Sequence, residues 1–194
     1  MTRSWNHEWG WQSLKESGAH LEGHFLLTTG RHSNQFFLLA RLTEHPNLLT
    51  PWAEALAGRL KPYRPETVVG PAVGGIIPAY AVASFLPQTR VLFAEKSEAG
   101  GMVFKRGFRI RPGERVAVVE DAVTTGSSVK KVVDAVQQLG GTTIGVGVLI
   151  DRSQGGLRFQ EPLEALLRVA DIPNWDPAEC PLCREGVELT RPKS

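Results

Sequence analysis

The chain has 194 residues, 42% of them hydrophobic, and a formal net charge of +2, which suits a globular protein with apolar material for one sizeable core. So near-neutral a charge gives no electrostatic argument for a nucleic-acid partner. The opening Met-Thr-Arg-Ser-Trp-Asn-His-Glu-Trp has no apolar signal region, and no stretch approaches the roughly 20 apolar residues of a membrane span, so a cytoplasmic protein without membrane association is expected.

In chain order, Trp11 to Leu21 reads as a short helix, with Leu14, Gly18 and Leu21 at helical spacing. Thr50-Pro51 opens another, since Thr is a good N-cap and Pro is favoured at the first helical position. Ala53, Leu56, Ala57 and Leu60 line one face of it. Thr67-Val68-Val69-Gly70 is a short strand that runs into Pro71-Ala72-Val73-Gly74-Gly75. A helix from about Ile76 to Phe85 follows, with Pro78 tolerable only in its first turn. Val91 to Ala94 is the next strand, ending at Glu95-Lys96, and Met102 to Ile110, split by Lys105-Arg106-Gly107, reads as a hairpin outside the parallel order.

Val116 to Val119 is a buried strand, and Val129, Val132, Val133 and Val136 mark a helix closed by Gly140-Gly141. Thr143 to Ile150 is a buried strand ending at Asp151-Arg152, and Leu163 to Val169 adds an edge strand. This alternation predicts an α/β fold with a mainly parallel sheet and right-handed crossovers. The only cysteines, Cys180 and Cys183, form Cys-Pro-Leu-Cys with no second CxxC or nearby histidine pair. A structural zinc wants four ligands. A metal shared across a dimer, a redox pair and reduced thiols in a packed tail stay open, the last being the plainest.

The densest chemistry lies in Val116-Ala-Val-Val-Glu-Asp-Ala-Val-Thr-Thr-Gly-Ser-Ser128. An apolar run ending in two carboxylates places Glu120 and Asp121 at the carboxyl end of a central strand, where open parallel sheets hold their ligands. The helix starting within Thr124-Thr125-Gly126-Ser127-Ser128 turns hydroxyls and backbone N–H groups toward an anion. Hydroxyls and amides suit a phosphate, and the carboxylates suit sugar hydroxyls, so the run suits a sugar phosphate. Gly74 and Gly75 let the backbone of a neighbouring turn approach a pyrophosphate. Lys96 offers that group a positive charge, and Arg152 at another strand end suits bidentate binding of a carboxylate.

The run resembles the phosphoribosyl pyrophosphate signature of the type I phosphoribosyltransferases. The segment Gly23-His24-Phe25-Leu26-Leu27-Thr28-Thr29-Gly30-Arg31-His32-Ser33-Asn34-Gln35-Phe36-Phe37 resembles the hood of the orotate phosphoribosyltransferases, as do Gly70 to Ile76 and Asp151-Arg152. The Cys-Pro-Leu-Cys-Arg-Glu-Gly tail is similar to that of a shorter bacterial branch. The resemblance implies the type I phosphoribosyltransferase fold in a single domain, residues 1–194. Its hood would be about 1–45 and 155–194, and its core about 46–154.

It further implies Mg²⁺-dependent transfer of ribose 5-phosphate from phosphoribosyl pyrophosphate to orotate in pyrimidine biosynthesis, by a homodimer. Residue by residue, Thr124, Thr125, Gly126, Ser127 and Ser128 would cradle the 5-phosphate, Glu120 and Asp121 would hold the ribose hydroxyls, and Ala122 and Val123 would also border the phosphoribosyl pyrophosphate. Lys96, Gly74 and Gly75 would meet the pyrophosphate. Arg152 would bind the base's carboxylate, with Thr124 and the backbone at Phe36-Phe37 against the base. Mg²⁺ would be held mainly by substrate oxygens and water rather than by a protein cage.

Three departures bear on catalysis. Glu95 to Gly101 is shorter than the usual mobile loop, with one Lys and no His, so Lys105 and Arg106 are candidates for the missing charge, across a dimer included. Thr28 stands where many relatives have a lysine, and Gly74-Gly75 lacks a basic residue. Transfer to a purine or uracil, and a phosphoribosyl-pyrophosphate-sensing regulator that binds nucleic acid, are the competing readings. Arg152 argues against the first, and the absence of a basic face against the second.

Overall fold

The computed structural model describes residues 4–27, 29–153, 155–169 and 172–192. Helix α1 spans His7–Glu16, capped by Asn6, whose side-chain oxygen accepts the Trp9 amide at 2.8 Å. It ends before Gly18, which takes the left-handed conformation at φ 69°. The helix therefore does not reach Leu21, as its spacing had suggested. Leu21 belongs to β1 (His20–Leu26), which pairs antiparallel with β2 (His32–Phe37) in a separate two-stranded sheet.

A short helix α2 (Leu39–Thr43) precedes α3 (Pro46–Leu60). Thr50-Pro51 is thus not a helix start: Pro46 takes the first-turn position and Pro51 sits inside. Proline there deprives the Asn47 carbonyl of its helical donor, which is tolerable because Asn47 is exposed to water. Thr50 donates its hydroxyl to the Pro46 carbonyl at 2.7 Å.

The central sheet follows: β3 (Thr67–Pro71), α4 (Ile76–Ala83), β4 (Arg90–Lys96), β5 (Met102–Val103), β6 (Arg115–Val123), α5 (Ser127–Gln138), β7 (Thr142–Asp151) and β8 (Leu163–Arg168). Its order is β5-β4-β3-β6-β7-β8, parallel except for β5. The hairpin expected within Met102 to Ile110 does not form. Only Met102 and Val103 pair, antiparallel to Lys96 and Glu95, so the reversal lies at Ser97–Gly101. Lys105-Arg106-Gly107 is a tight turn with both Arg106 and Gly107 at positive φ. Arg106 is drawn back to Glu95 at 2.9 Å and over the Phe93 ring at 5.5 Å, which favours a local turn over a second strand.

Val116, Val118, Val129, Val132 and Val136 are fully buried between α5 and the sheet, and Leu56, Leu60, Ala117, Val119 and Leu149 on the opposite face with α3 and α4. Each of these valines and leucines contributes roughly 1.5–3 kcal/mol by leaving water. β8 belongs to this sheet although it lies in the segment expected to form the hood. The chain beyond it returns to the hairpin. Trp175 and His32 exchange backbone hydrogen bonds at 2.9 Å, the Leu26 amide donates to the Thr190 carbonyl at 2.9 Å, and the Thr190 amide donates to the His24 carbonyl at 2.8 Å. The last helix, α6, is Pro181–Arg184. Among the described residues no helix is long and apolar enough to cross a membrane.

Candidate active site

Because β3, β4, β6 and β7 run parallel, their carboxyl ends share one rim, and this is where open α/β sheets bind ligands. β6 delivers Glu120 and Asp121 there. Glu120 is only 7% exposed. Burial, reinforced by the Asp121 charge, pushes its carboxyl up to about 8. Burial also raises Asp121, against the opposing hydrogen bond from the Ala122 amide to its Oδ1 at 2.6 Å. Two acids that resist losing both protons suit a ligand that brings hydroxyl donors or cationic charge.

Beyond them the chain closes a cup. Glu120 and Ala122 to Val129 enclose a cavity of about 80 Å³. One water needs about 10–15 Å³ of such space, so the cup has room for a group of several heavy atoms, a phosphate among them. Gly126 turns the chain into α5 at φ 69°. A Cβ there would meet Leu157 at 2.6 Å and Phe159 at 2.9 Å, so glycine is required twice over. Thr124, Thr125, Ser127 and Ser128 stay exposed around it, and α5 directs its amino end at the same space.

The turn after β3 presses on this arrangement. A Cβ on Gly74 would lie 3.0 Å from Asp121 Oδ2, and one on Gly75 would lie 2.6 Å from Pro71 Cδ and 2.9 Å from the Val119 carbonyl. The two glycines thus allow the loop backbone to sit directly against the acidic pair.

Arg152 follows β7, anchored by its amide to the Val123 carbonyl at 2.8 Å. Its guanidinium carbon stands 4.9 Å from the centre of the Phe37 ring. Burial pulls its pKa below the ordinary arginine value, and its Nε is buried without a hydrogen-bond partner among the described residues. Neighbouring Asp151 does not serve it. That carboxylate accepts the Ser153 amide at 2.9 Å and faces Arg168 at 4.0 Å. Phe37 is buried against His20 and Trp11, while Phe36 is half-buried near Phe25.

Lys96 and Lys105 are not gathered into the cup: both side chains are exposed. Lys96 ends β4, separated from β6 by β3 and so by roughly 10 Å, while Lys105 lies outside β5. Arg106 is engaged by Glu95. Thr28 lies outside the described residues.

At the opposite end of the sheet a larger cavity, about 610 Å³, is lined by Lys61, Arg64, Arg90, Arg111 and Arg115. Arg90, Arg111 and Arg115 are paired with Glu66 and Glu114. Glu114 is desolvated, yet hydrogen bonds from Thr67, the Arg111 amide and Arg90 outweigh that and hold it down to about 2. The two buried glutamates flanking β6 are thus tuned in opposite senses. Glu114 is locked as an anion in a structural network, whereas Glu120 is left responsive.

One cluster escaped the sequence reading. His24 and His32, distant from the cysteines along the chain, stand directly beside Cys180 and Cys183. The statement that no histidine pair accompanies the CxxC is therefore wrong in space. Four residues of metal-binding type in a chain with so few cysteines were the available signal.

A phosphate cup, an acidic pair and a close glycine turn on the rim of this sheet, under a separate hairpin, define a type I phosphoribosyltransferase. The phosphoribosyl transferase domain profile matches residues 39–175. An orotate phosphoribosyltransferase of Thermotoga maritima is 49% identical over 181 residues, spanning 93% of this chain and 95% of that protein. One of Caldanaerobacter subterraneus subsp. tengcongensis is 47% identical over 173 residues, spanning 89% and 90%. The crystal structure of orotate phosphoribosyltransferase from Aeropyrum pernix aligns with a TM-score of 0.68 at 27% identity, over 81% of this chain and 92% of that one. The chain belongs to the orotate phosphoribosyltransferase family.

Proposed function

We propose that the chain transfers ribose 5-phosphate from phosphoribosyl pyrophosphate to N1 of orotate, releasing pyrophosphate and forming orotidine 5′-monophosphate for pyrimidine synthesis. The observation that carries the choice of base is Arg152, a half-buried cation with no ion-pair partner among the described residues, stacked on Phe37 beside the cup. A carboxylate on the base supplies the missing anion in bidentate fashion. Purines and uracil carry none.

The anomeric C–O bond breaks with its electron pair leaving on pyrophosphate, the C1–N1 bond forms, and the N1 proton goes to solvent. Positive charge develops on the ribose, where Glu120 and Asp121 stabilise it and accept from its hydroxyls. Thr124 to Ser128 hold the 5-phosphate, and the backbone of Gly74-Gly75 faces the pyrophosphate. Lys96 and Lys105 are exposed and long enough to approach that leaving group when substrate is bound.

The acidic pair fits Mg²⁺, a hard cation that takes oxygen ligands and keeps several waters. Glu120 and Asp121 would lie beside it, with substrate oxygens completing its shell. When bound, it would neutralise charge on the departing pyrophosphate.

The same reading treats residues 1–194 as one domain, with a hood drawn from about 1–45 and 155–194 over a core of about 46–154. It also implies a cytoplasmic homodimer that binds neither nucleic acid nor membrane. Val73, Ile77 and Tyr80 are exposed at 82%, 49% and 67%. Val73 lies in the turn beside Gly74 and Ile77 and Tyr80 on α4, and such exposed apolar side chains support a subunit contact. The test is orotate consumption followed by absorbance with Mg²⁺ and phosphoribosyl pyrophosphate, against uracil and hypoxanthine. Turnover of orotate alone is expected, and turnover of uracil or hypoxanthine but not orotate would overturn the reading.

A further inference from the structure

The cluster beside the hairpin has no part in the transfer reaction. His24 Nε2 lies 3.0 Å from His32 Nδ1, 3.4 Å from Cys180 Sγ and 3.8 Å from Cys183 Sγ, and Cys183 Sγ lies 3.3 Å from His32 Nδ1. All four ligand atoms fall within 4.8 Å of one another. In a tetrahedral zinc site, with Zn–S about 2.3 Å and Zn–N about 2.0–2.1 Å, neighbouring ligand atoms stand roughly 3.3–3.8 Å apart. The four separations of 3.0 to 3.8 Å lie close to the edges of such a tetrahedron.

Tautomer and burial agree with this geometry. His24 Nδ1 lies 2.8 Å from the Val187 carbonyl. That carbonyl can only accept, so the ring proton is on Nδ1 and the Nε2 lone pair points into the cluster. A backbone carbonyl accepting the second ring N–H is a usual outer partner of a metal-bound imidazole. Without a metal, the single Nε2 lone pair would face His32 and both thiols and could accept from only one of them well. His24, His32 and Cys180 are 2%, 5% and 0% exposed, while Cys183 is exposed, leaving a path for an ion to enter. Two thiolates and two imidazoles are a soft donor set that selects zinc over Mg²⁺.

We infer that His24, His32, Cys180 and Cys183 form a closed structural zinc site, distinct from the Mg²⁺ of the transfer reaction. Binding takes both cysteines as thiolates and releases their protons to solvent. The ion joins α6 to the β1–β2 hairpin, so the C-terminal segment braces the strand that carries Phe37 toward Arg152. No ligand position is left for water, which makes the site structural rather than hydrolytic.

The test is metal analysis of the full chain purified without added metal or chelator. Roughly one zinc per chain is expected for a four-ligand site, with loss of at least tenfold in Cys183→Ser and in the Cys180→Ser/Cys183→Ser pair. Stripping the zinc is expected to lower the thermal midpoint, and adding Zn²⁺ to restore it. Replacement by Co²⁺ should give the intense visible bands and thiolate charge transfer of tetrahedral coordination. That spectrum is read on the unmutated chain, so it decides the matter even if the serine variants fail to fold. A chain free of zinc and unmoved by added Zn²⁺ would overturn the inference. So would iron or copper in its place, a Cys180–Cys183 disulfide in freshly reduced-lysate protein, or zinc retained by the double variant.

Discussion

Arg152 and Phe37 meet face to charge, the guanidinium carbon 4.9 Å from the ring centroid. The contact joins the carboxyl end of β7 to the hairpin, two parts of the chain far apart in sequence, and it positions a cation that Asp151 does not neutralise. Arg152→Ala is expected to raise the KM for orotate by 10- to 100-fold, the size of one lost charge-assisted hydrogen-bonded pair. The KM for phosphoribosyl pyrophosphate should change little. Arg152→Lys should rescue poorly, because an ammonium neither stacks nor forks as guanidinium does. Equal effects on both substrates in steady-state kinetics would place Arg152 elsewhere.

Asp121 lies against the glycine turn and next to Glu120, which lines the cup, so Asp121→Asn tests the acidic pair without changing its shape. A fall of about 100-fold or more in kcat/KM is expected, in line with losing one electrostatic contact to a charged transition state. The thermal midpoint should stay within a few degrees, since burial of a neutral amide relieves the same desolvation that raises the acid. Unchanged kcat/KM would remove Asp121 from the chemistry.

Glu120 makes the ligand-free protein sensitive to alkali. Its folded pKa of about 8 lies above the ordinary glutamate value, so its contribution is fully present below about pH 4.5 and is lost as pH rises toward 8. Glu114, held down to about 2, behaves oppositely: its contribution is present above about pH 4.5 and is lost as pH falls through 2. Glu120→Gln should therefore flatten the decline in thermal midpoint between pH 5 and 9, an effect on the order of a few kcal/mol. Binding of phosphoribosyl pyrophosphate should release protons near pH 7, because ribose hydroxyls donate to the carboxylate form. Calorimetry in buffers of different ionisation enthalpy reads this directly, and proton uptake would contradict it.

Gly74 is a case where one methyl group is informative. Its Cβ would lie 3.0 Å from Asp121 Oδ2, so Gly74→Ala must push the carboxylate or the loop by a few tenths of an ångström. Since displacements of about 1 Å in a reacting geometry can reduce rates 100-fold, a loss of roughly tenfold in kcat with little change in stability is expected. Wild-type kinetics in this variant would show that the loop withdraws from Asp121 in solution.

Lys96 and Lys105 are both exposed and outside the cup, so sharing between subunits is decided by mixing. Lys105→Ala is expected to lower kcat on its own. Mixed with Asp121→Asn chains, it should regain activity above the sum of the separate variants if Lys105 serves the partner's site. Strict additivity would confine Lys105 to its own subunit.

The signature on β6 was legible because every part of it is local. An apolar run, two acids and a small hydroxyl loop are contiguous, and strand-to-helix geometry alone places Glu120 to Ser128 on the sheet rim. The same holds for the glycine turn and for Arg152, each at the end of its own strand. Helix limits were less legible. The first helix starts after Asn6, ahead of Trp11, and the third at Pro46, ahead of Thr50-Pro51, with Leu48 and Leu49 already buried in its first turn.

What the amino-acid sequence determined by itself was the placing of Glu120 to Ser128 at the sheet rim, because these residues are neighbours in one strand, loop and helix. Tertiary structure alone decided which groups from remote segments meet: Phe37 against Arg152, Gly74 against Asp121, and His24 and His32 against Cys180 and Cys183. The reason is physical. Residue spacing encodes local periodicity, whereas those contacts depend on how the hairpin, the glycine turn and the returning C-terminal segment pack in three dimensions.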